Sequence, residues 1–127
     1  RRFVFLPGPP GSMVKWLQAT DAGDLAFLMM DPRLVLPTYE VRLAPEELAE
    51  LAVASPSELE VYTLVVVPPD RTQVRTNLKA PILINPRHRL GKQTVLERSD
   101  YPLQYFLARM QRASDTPREV LHARSDT

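Results

Sequence analysis

The sequence predicts a mainly β fold: a small single-domain, β-barrel-like structure with one short helix, followed by a helical extension or a polar tail. Short apolar runs stop repeatedly at Pro, Gly or Asp, which is the pattern of strands joined by turns. The 13 prolines stand between those runs, where a residue that cannot donate to a sheet ladder belongs. A chain of 127 residues has room for one core, so we expect a β domain over residues 1–108 and an extension over residues 109–127.

The first half of the chain predicts a strand, a hairpin, another strand and the helix, in that order. Residues 4–6 form a short apolar run that ends at PGPPG. Residues 13–19 and 25–30 are apolar runs on either side of DAGD, which is a turn sequence. Residues 39–43 alternate as a strand does. Residues 45–51 predict a helix, because proline and glutamates in the first turn favour a helix N-terminus.

The second half predicts three further strands. Residues 60–67 are the longest β-branched run of the chain. Residues 82–84 and 94–96 give two more strands, and we expect Leu90 and Gly91 to lie in the turn between them. Together the strands predict a closed or nearly closed sheet.

The segment NLKAPILINP, residues 77–86, supports two hypotheses. In the structural one, Asn77 and Asn85 bond neighbouring backbone groups and fix the two ends of a buried strand. In the other, Asn77, Lys79 and Asn85 belong to a partner-binding loop, since a loop held rigid by proline and asparagine loses little entropy when a partner docks.

Composition limits the kinds of site that the chain can contain and the compartment in which we expect it. The chain contains no cysteine, which excludes disulfides and thiolate metal sites. No apolar stretch approaches the roughly 18 residues of a membrane span, and no segment resembles a signal sequence. We therefore expect a cytoplasmic protein without a membrane partner.

Charge is distributed unevenly along the chain. Nine acidic residues and only two arginines lie between residues 21 and 60, whereas residues 61–127 carry eleven Lys and Arg against six acids. The basic second half leaves one alternative function open, an RNA-binding β-domain. Its cations lack the interleaved aromatic residues of single-strand binders: Arg71, Arg75, Lys79, Arg87, Arg89, Lys92 and Arg98.

Residues that could carry catalysis are few. The two histidines, His88 and His122, are far apart in the sequence, so a metal site or catalytic dyad would need both positions to meet. PGPPG lacks the glycine spacing of a phosphate loop. The three glutamates of the predicted helix are typical of a solvated or partner-facing surface. We expect no enzyme activity, no cofactor, no metal and no small-molecule substrate.

Five segments, in order along residues 2–106, resemble the FliW family of flagellar assembly factors. They are DLAFLMMDP (24–32), LPTYEV (36–41), NLKAPILINP (77–86), GKQTVL (91–96) and YPL (101–103). The resemblance implies a small β-barrel-like fold, no enzyme activity and two protein partners, flagellin and the RNA-binding translational repressor CsrA. It also implies that FliW, once flagellin has been exported, binds CsrA and relieves its repression of flagellin translation.

Two departures from the family pattern accompany the resemblance. Family members usually begin with about twenty more residues that form opening strands, so we expect those strands to be missing here and the barrel to be incomplete. Members are also usually acidic overall, whereas acidity here is confined to residues 21–60. Within that stretch we predict a negative contact surface for CsrA, formed by Tyr39, Glu40, Glu46, Glu47 and Glu50.

Overall fold

Strand β4 lies at the centre of the fold and pairs with three other strands. The computed structural model describes residues 2–8, 14–21 and 25–107, in which eight strands form one sheet. The strands are β1 (Phe3–Pro7), β2 (Val14–Ala19), β3 (Ala26–Met30), β4 (Glu60–Val66), β5 (Arg75–Thr76), β6 (Ile82–Asn85), β7 (Leu90–Gln93) and β8 (Tyr105–Phe106). One α-helix, α1 (Pro45–Glu50), and three 3-10 turns, Pro32–Leu34, Pro56–Glu58 and Arg71–Gln73, complete the described elements.

All pairings in the sheet are antiparallel. The order β1-β2-β3-β4 follows the chain, and β5 and β8 continue it, while β6 branches from β4 and carries β7. Along β4 the first three residues pair with β6, the next two with β3 and the last two with β5. The prediction of a mainly β fold is confirmed. Among the described residues the sheet does not close, so the term barrel-like applies only loosely.

Alternation along β4 places side chains on both faces of the sheet. Val61 and Val65 pack into two neighbouring clusters on one face, together with Leu78, Leu83 and other buried residues. Tyr62 belongs to a smaller cluster on the other face. Five consecutive residues of β4 are buried or half-buried, as expected for a central strand covered on both faces.

Helix α1 confirms the predicted helix at residues 45–51. Pro45 occupies its first turn, followed by two glutamates. The Glu47 side chain accepts a hydrogen bond from Ala44 N (3.4 Å), which is the half of a capping box that an alanine N-cap still permits. Ala52, just after the helix, adopts φ 57°, the left-handed conformation common at helix C-termini.

Residues 39–43 do not form the predicted strand. The backbone N–H of Glu40 donates to the Tyr101 hydroxyl (2.8 Å) instead of to a neighbouring strand. The Tyr101 hydroxyl thus accepts the backbone N–H of Glu40, which a neighbouring strand would otherwise bind. No strand is present over residues 39–43.

The predicted strand at residues 94–96 is also wrong, and β7 lies just before it. Leu90 and Gly91 are in that strand, and the turn occupies residues 86–89. After β7 the chain still donates from Thr94 N to Pro81 O (3.0 Å) and from Leu96 N to Lys79 O (2.7 Å). Because Pro81 has no N–H to return, the ladder does not continue there.

The remaining expectations differ in detail. The other predicted strands are present with bounds shifted by at most one residue, whereas β5 and β8, two residues each, had no counterpart in the prediction. Pro7 lies inside β1 and not between elements. The predicted extension at residues 109–127 lies outside the described residues. No described helix is long and apolar enough to cross a membrane.

Candidate partner-binding surface

Tyr39 is a core residue and not part of a surface patch. Only 2% of it is exposed, its hydroxyl donates to Leu78 O (2.6 Å), and its ring stacks on Tyr101 with 4.6 Å between centroids. Burial raises the pKa of the Tyr39 hydroxyl well above its ordinary value. The prediction that Tyr39 joins the negative surface is therefore wrong: its phenol is used to hold the segment after residue 77 against the core.

Glu47 points from α1 towards the chain that follows β7. Its carboxylate accepts a hydrogen bond from the Thr94 hydroxyl and lies 3.8 Å from Lys92 Nζ. Its side chain is only 25% exposed. The bond from Thr94 lowers the pKa of Glu47 below its ordinary value, and Lys92 adds to the effect. Glu47 thus attaches the helix to the sheet and is only partly available to a partner.

The exposed negative charge of α1 comes from Glu46 and Glu50. Glu46 is exposed, and Glu50 keeps 62% of its side chain in solvent although its carboxylate lies 3.4 Å from Lys92 Nζ. Lys92 offsets one of the three glutamate charges of α1, so the charge that an approaching partner meets at the helix remains net negative. Glu40, four residues before the helix N-cap, is exposed and forms an exposed ion pair with Arg42 (3.4 Å).

We expect the contribution of Glu47 to stability to depend on pH. Because its pKa is lowered by folding, the charged carboxylate stabilises the fold above its unfolded pKa, and this stabilisation is lost as pH falls through the folded pKa. Glu47→Gln should therefore be less stable than the parent chain near neutral pH, and the difference should shrink in acid. Urea unfolding from about pH 7 to about pH 3 measures it, with Glu46→Gln as the matched control. A difference that stays constant with pH would contradict the assignment.

Asn77 and Lys79 are engaged within the chain. The Asn77 side-chain oxygen accepts from Lys79 N (3.0 Å) and Ala80 N (3.1 Å), which closes the turn before Pro81. Lys79 Nζ donates to Ser99 O (2.8 Å). These bonds are the ones that the structural hypothesis predicts for Asn77, and both side chains remain half-buried.

Asn85 is buried, with 2% exposed, and all parts of its amide have partners. Its oxygen accepts from Arg87 N (3.0 Å) and His88 N (3.3 Å). Its nitrogen donates to Leu51 O (2.7 Å) and lies 3.1 Å from His88 Nδ1. Asn85 thus joins the β6–β7 turn to the C-terminal end of α1, and a partner cannot reach its side chain without disturbing both.

Sequence reasoning did not identify Lys92, Thr94 or Leu51 as neighbours of the candidate surface. Each of these residues is 34 to 47 positions away in the sequence from the residue that it contacts. Nothing local in the sequence signals such pairs. The apolar character of residues 3–6 was visible, but their exposure on both faces of the sheet was not.

Of the seven basic residues named above in the second half, three have side-chain partners within the chain, and Arg71, Arg87, Arg89 and Arg98 are exposed. Lys79 and Arg75 donate to backbone carbonyls, and Lys92 pairs with two glutamates of α1. Within residues 2–8, 14–21 and 25–107, no group of three or more His, Asp or Glu side chains is placed to hold a metal ion.

Known proteins resemble this chain over most of its length. The family model for FliW protein matches residues 1–107. A flagellar assembly factor FliW from Caldicellulosiruptor saccharolyticus is 40% identical over 92 residues, and one from Desulfitobacterium hafniense is 33% identical over 117 residues. The aligned regions cover 72% and 92% of this chain, and 60% and 77% of those relatives.

A solved structure shows the same fold. The crystal structure of a flagellar assembly factor FliW superposes with a TM-score of 0.77 at 30% identity, covering 84% of this chain and 74% of that one. The chain spans only 60% of the length of the two Caldicellulosiruptor relatives that it matches.

Proposed function

The chain belongs to the FliW family of flagellar assembly factors, and from that membership we propose that it is a non-catalytic adaptor that binds flagellin and CsrA. In this proposal the protein is held by flagellin until flagellin is exported, and then binds CsrA and relieves its repression of flagellin translation. Such an exchange takes place in the cytoplasm and needs neither a cofactor nor a small-molecule substrate.

The exposed carboxylates of α1 support a role in CsrA binding. A protein that binds RNA presents positive charge, and a negative surface both attracts that charge and repels the competing RNA. Glu46 and Glu50 supply such a surface on a helix whose inner side is held to the sheet through Glu47. We infer that Glu46 and Glu50, with Glu40 before the helix, face CsrA.

The charge-reversal experiment should leave Glu47 unchanged, because its bond to Thr94 contributes to folding. We expect the double variant Glu46→Lys, Glu50→Lys to associate with CsrA about tenfold more slowly at low salt. The difference should shrink as salt rises, since exposed charges are screened over about 10 Å at 0.1 M. Stopped-flow or surface-binding kinetics over a salt series measure this effect.

A matched control makes the same change in net charge at residues outside α1. Glu97 and Asp100 are both exposed, and Glu97→Lys, Asp100→Lys reverses two charges outside the helix. If this control slows association as much as the α1 variant, net charge and not the α1 surface is responsible. If the folded α1 variant keeps the parent rate and salt dependence, the interface lies elsewhere.

Capture of partners tests the broader proposal. The immobilised chain should retain purified flagellin and purified CsrA, and flagellin should displace CsrA if one adaptor serves both in turn. Retention of neither protein, together with tight and strongly salt-sensitive binding of RNA, would favour the alternative of an RNA-binding β-domain.

A further inference from the structure

The hairpin turn between β6 and β7 carries two arginines in solvent. Arg87, His88 and Arg89 are all exposed in this turn, residues 86–89, which we call the basic turn. Among residues 2–8, 14–21 and 25–107, no group forms a hydrogen bond or an ion pair with the guanidinium of Arg87 or of Arg89. Both cations are thus available to a partner.

Asn85 holds the basic turn in one conformation. The side-chain oxygen of Asn85 accepts from Arg87 N (3.0 Å) and His88 N (3.3 Å), and its nitrogen lies 3.1 Å from His88 Nδ1. These contacts fix the backbone from which the two guanidinium groups extend. A partner that docks on the turn therefore has little backbone entropy to remove.

Arg89 occupies a backbone conformation that suits a different residue. Its φ is 56°, in the left-handed region that glycine adopts without cost and that asparagine tolerates. An arginine thus stands where a smaller residue would strain the backbone less. Strain of this kind is concentrated at functional sites, which favours a role for the Arg89 guanidinium outside folding.

The basic turn lies beside the acidic helix α1. Asn85, just before the turn, donates from its side chain to Leu51 O at the C-terminal end of α1 (2.7 Å). Lys92 Nζ, on β7 after the turn, lies 3.4 Å from the Glu50 carboxylate. A strand advances about 3.3 Å per residue, so about 10 Å of chain separates Lys92 from Arg89. Negative and positive groups therefore share one continuous stretch of surface.

A protein that docks on α1 also covers the basic turn. A specific interface buries about 800 Å² of each partner, which is a patch roughly 30 Å across. Such a patch, centred on the exposed carboxylates Glu46 and Glu50, extends beyond Arg89. A cation that is covered without an acidic partner loses its hydration and gains nothing in return. Tight docking on α1 therefore requires acidic groups opposite the basic turn.

We propose that the basic turn is a second contact for the protein that docks on α1. That partner presents acidic side chains to Arg87 and Arg89, next to the basic groups that face Glu46 and Glu50. Since the proposed function makes CsrA this partner, the proposal rests on it. Opposite charges side by side admit one orientation, because a rotated complex brings like charges together. Nucleic acid fits such a surface poorly, since phosphates drawn to the turn would also meet the carboxylates of α1.

Charge reversal at Arg87 distinguishes a local contact from general attraction. Arg87→Glu should weaken the binding of purified CsrA about tenfold at low salt, because it places a carboxylate against acidic groups. If CsrA presented only positive charge here, the same variant would bind more tightly. Arg71→Glu is the matched control, since Arg71 is equally exposed but lies in the 3-10 turn before β5, and it should bind at least as tightly as the parent. Titration calorimetry measures both.

Substitutions of Arg89 separate its part in binding from its effect on stability. Arg89→Gly and Arg89→Ala both remove the charge, and each should bind CsrA about fivefold more weakly than the parent. Arg89→Gly should melt at a higher temperature than Arg89→Ala, because only glycine accepts a φ of 56° without cost. Arg89→Lys keeps the charge and should retain more binding than either. Circular dichroism confirms that each variant is folded.

Binding by the parent chain separates failure of this proposal from failure of the proposed function. A parent that does not bind CsrA overturns both. A parent that binds CsrA, with Arg87→Glu binding equally well or better, excludes only the second contact. If the parent binds RNA and Arg87→Glu loses that binding, the turn is a nucleic-acid contact and the proposal is overturned. The Arg89 variants decide the matter if Arg87→Glu does not fold, and unchanged binding by all three excludes the contact.

Discussion

Replacing Leu83 by alanine is expected to lower the free energy of unfolding by about 3 to 4 kcal/mol. Leu83 has no exposed surface and lies in β6, within the core cluster that includes Leu51, Leu78 and Val61. Removal of its side chain loses the transfer free energy of the buried atoms and leaves a cavity that these neighbours can fill only in part. Urea unfolding at neutral pH measures the loss.

The next residue in the same strand provides the control. Ile84 lies on the opposite face of β6 and is only half-buried, against the smaller cluster around Met29. Ile84→Ala should cost roughly half as much, because less of its surface is removed from water. If the two variants lose equal stability, the smaller cluster is as well packed as the larger one and the assignment of the principal core to the Leu83 face is wrong.

Replacing Asn85 by alanine is expected to cost about 3 kcal/mol of the free energy of unfolding, which is large for a polar residue. The substitution leaves the buried Leu51 carbonyl and the N–H groups of Arg87 and His88 without their side-chain partner. Buried polar groups without partners lose the hydration that they would have in the unfolded chain, so the penalty falls on the folded state. Thermal and urea unfolding should both show it.

Asn77→Ala is the matched comparison, because Asn77 closes a similar turn through two backbone bonds but is only half-buried. Its loss should be about 1 kcal/mol. The same two variants separate the hypotheses for residues 77–86. Unchanged stability with lost flagellin or CsrA binding would identify a partner-binding loop, whereas lost stability with binding retained in the folded fraction identifies a structural role.

The sequence predicted those elements whose own residues carry a strong local pattern. The β-branched run at β4 and the proline and glutamates at α1 predicted both elements to within one residue at each end. The segment at residues 39–43 had the alternation of a strand, but its donor at Glu40 is taken by Tyr101, 61 positions away. Strands β5 and β8 are two residues long and exist only because they pair with other parts of the chain.

Some features of the candidate surface could be predicted from the sequence, and others could not. The three glutamates among residues 45–51 were enough to predict a negatively charged helix. It could not tell that Glu47 turns inward to Thr94 while Glu46 stays in solvent, or that Tyr39 enters the core. These differences follow from contacts between residues far apart in the chain, which composition and periodicity do not encode.

The three pairings of β4 bear on the cooperativity of unfolding. Neither the β2–β3 hairpin nor the β6–β7 hairpin can detach without uncovering part of β4. The residues between β3 and β4, including α1, are held to β6 and β7 through Asn85 and Lys92. Loss of either hairpin therefore weakens the attachment of the other, so the described part of the chain should have no stable half-unfolded state in which one hairpin remains intact.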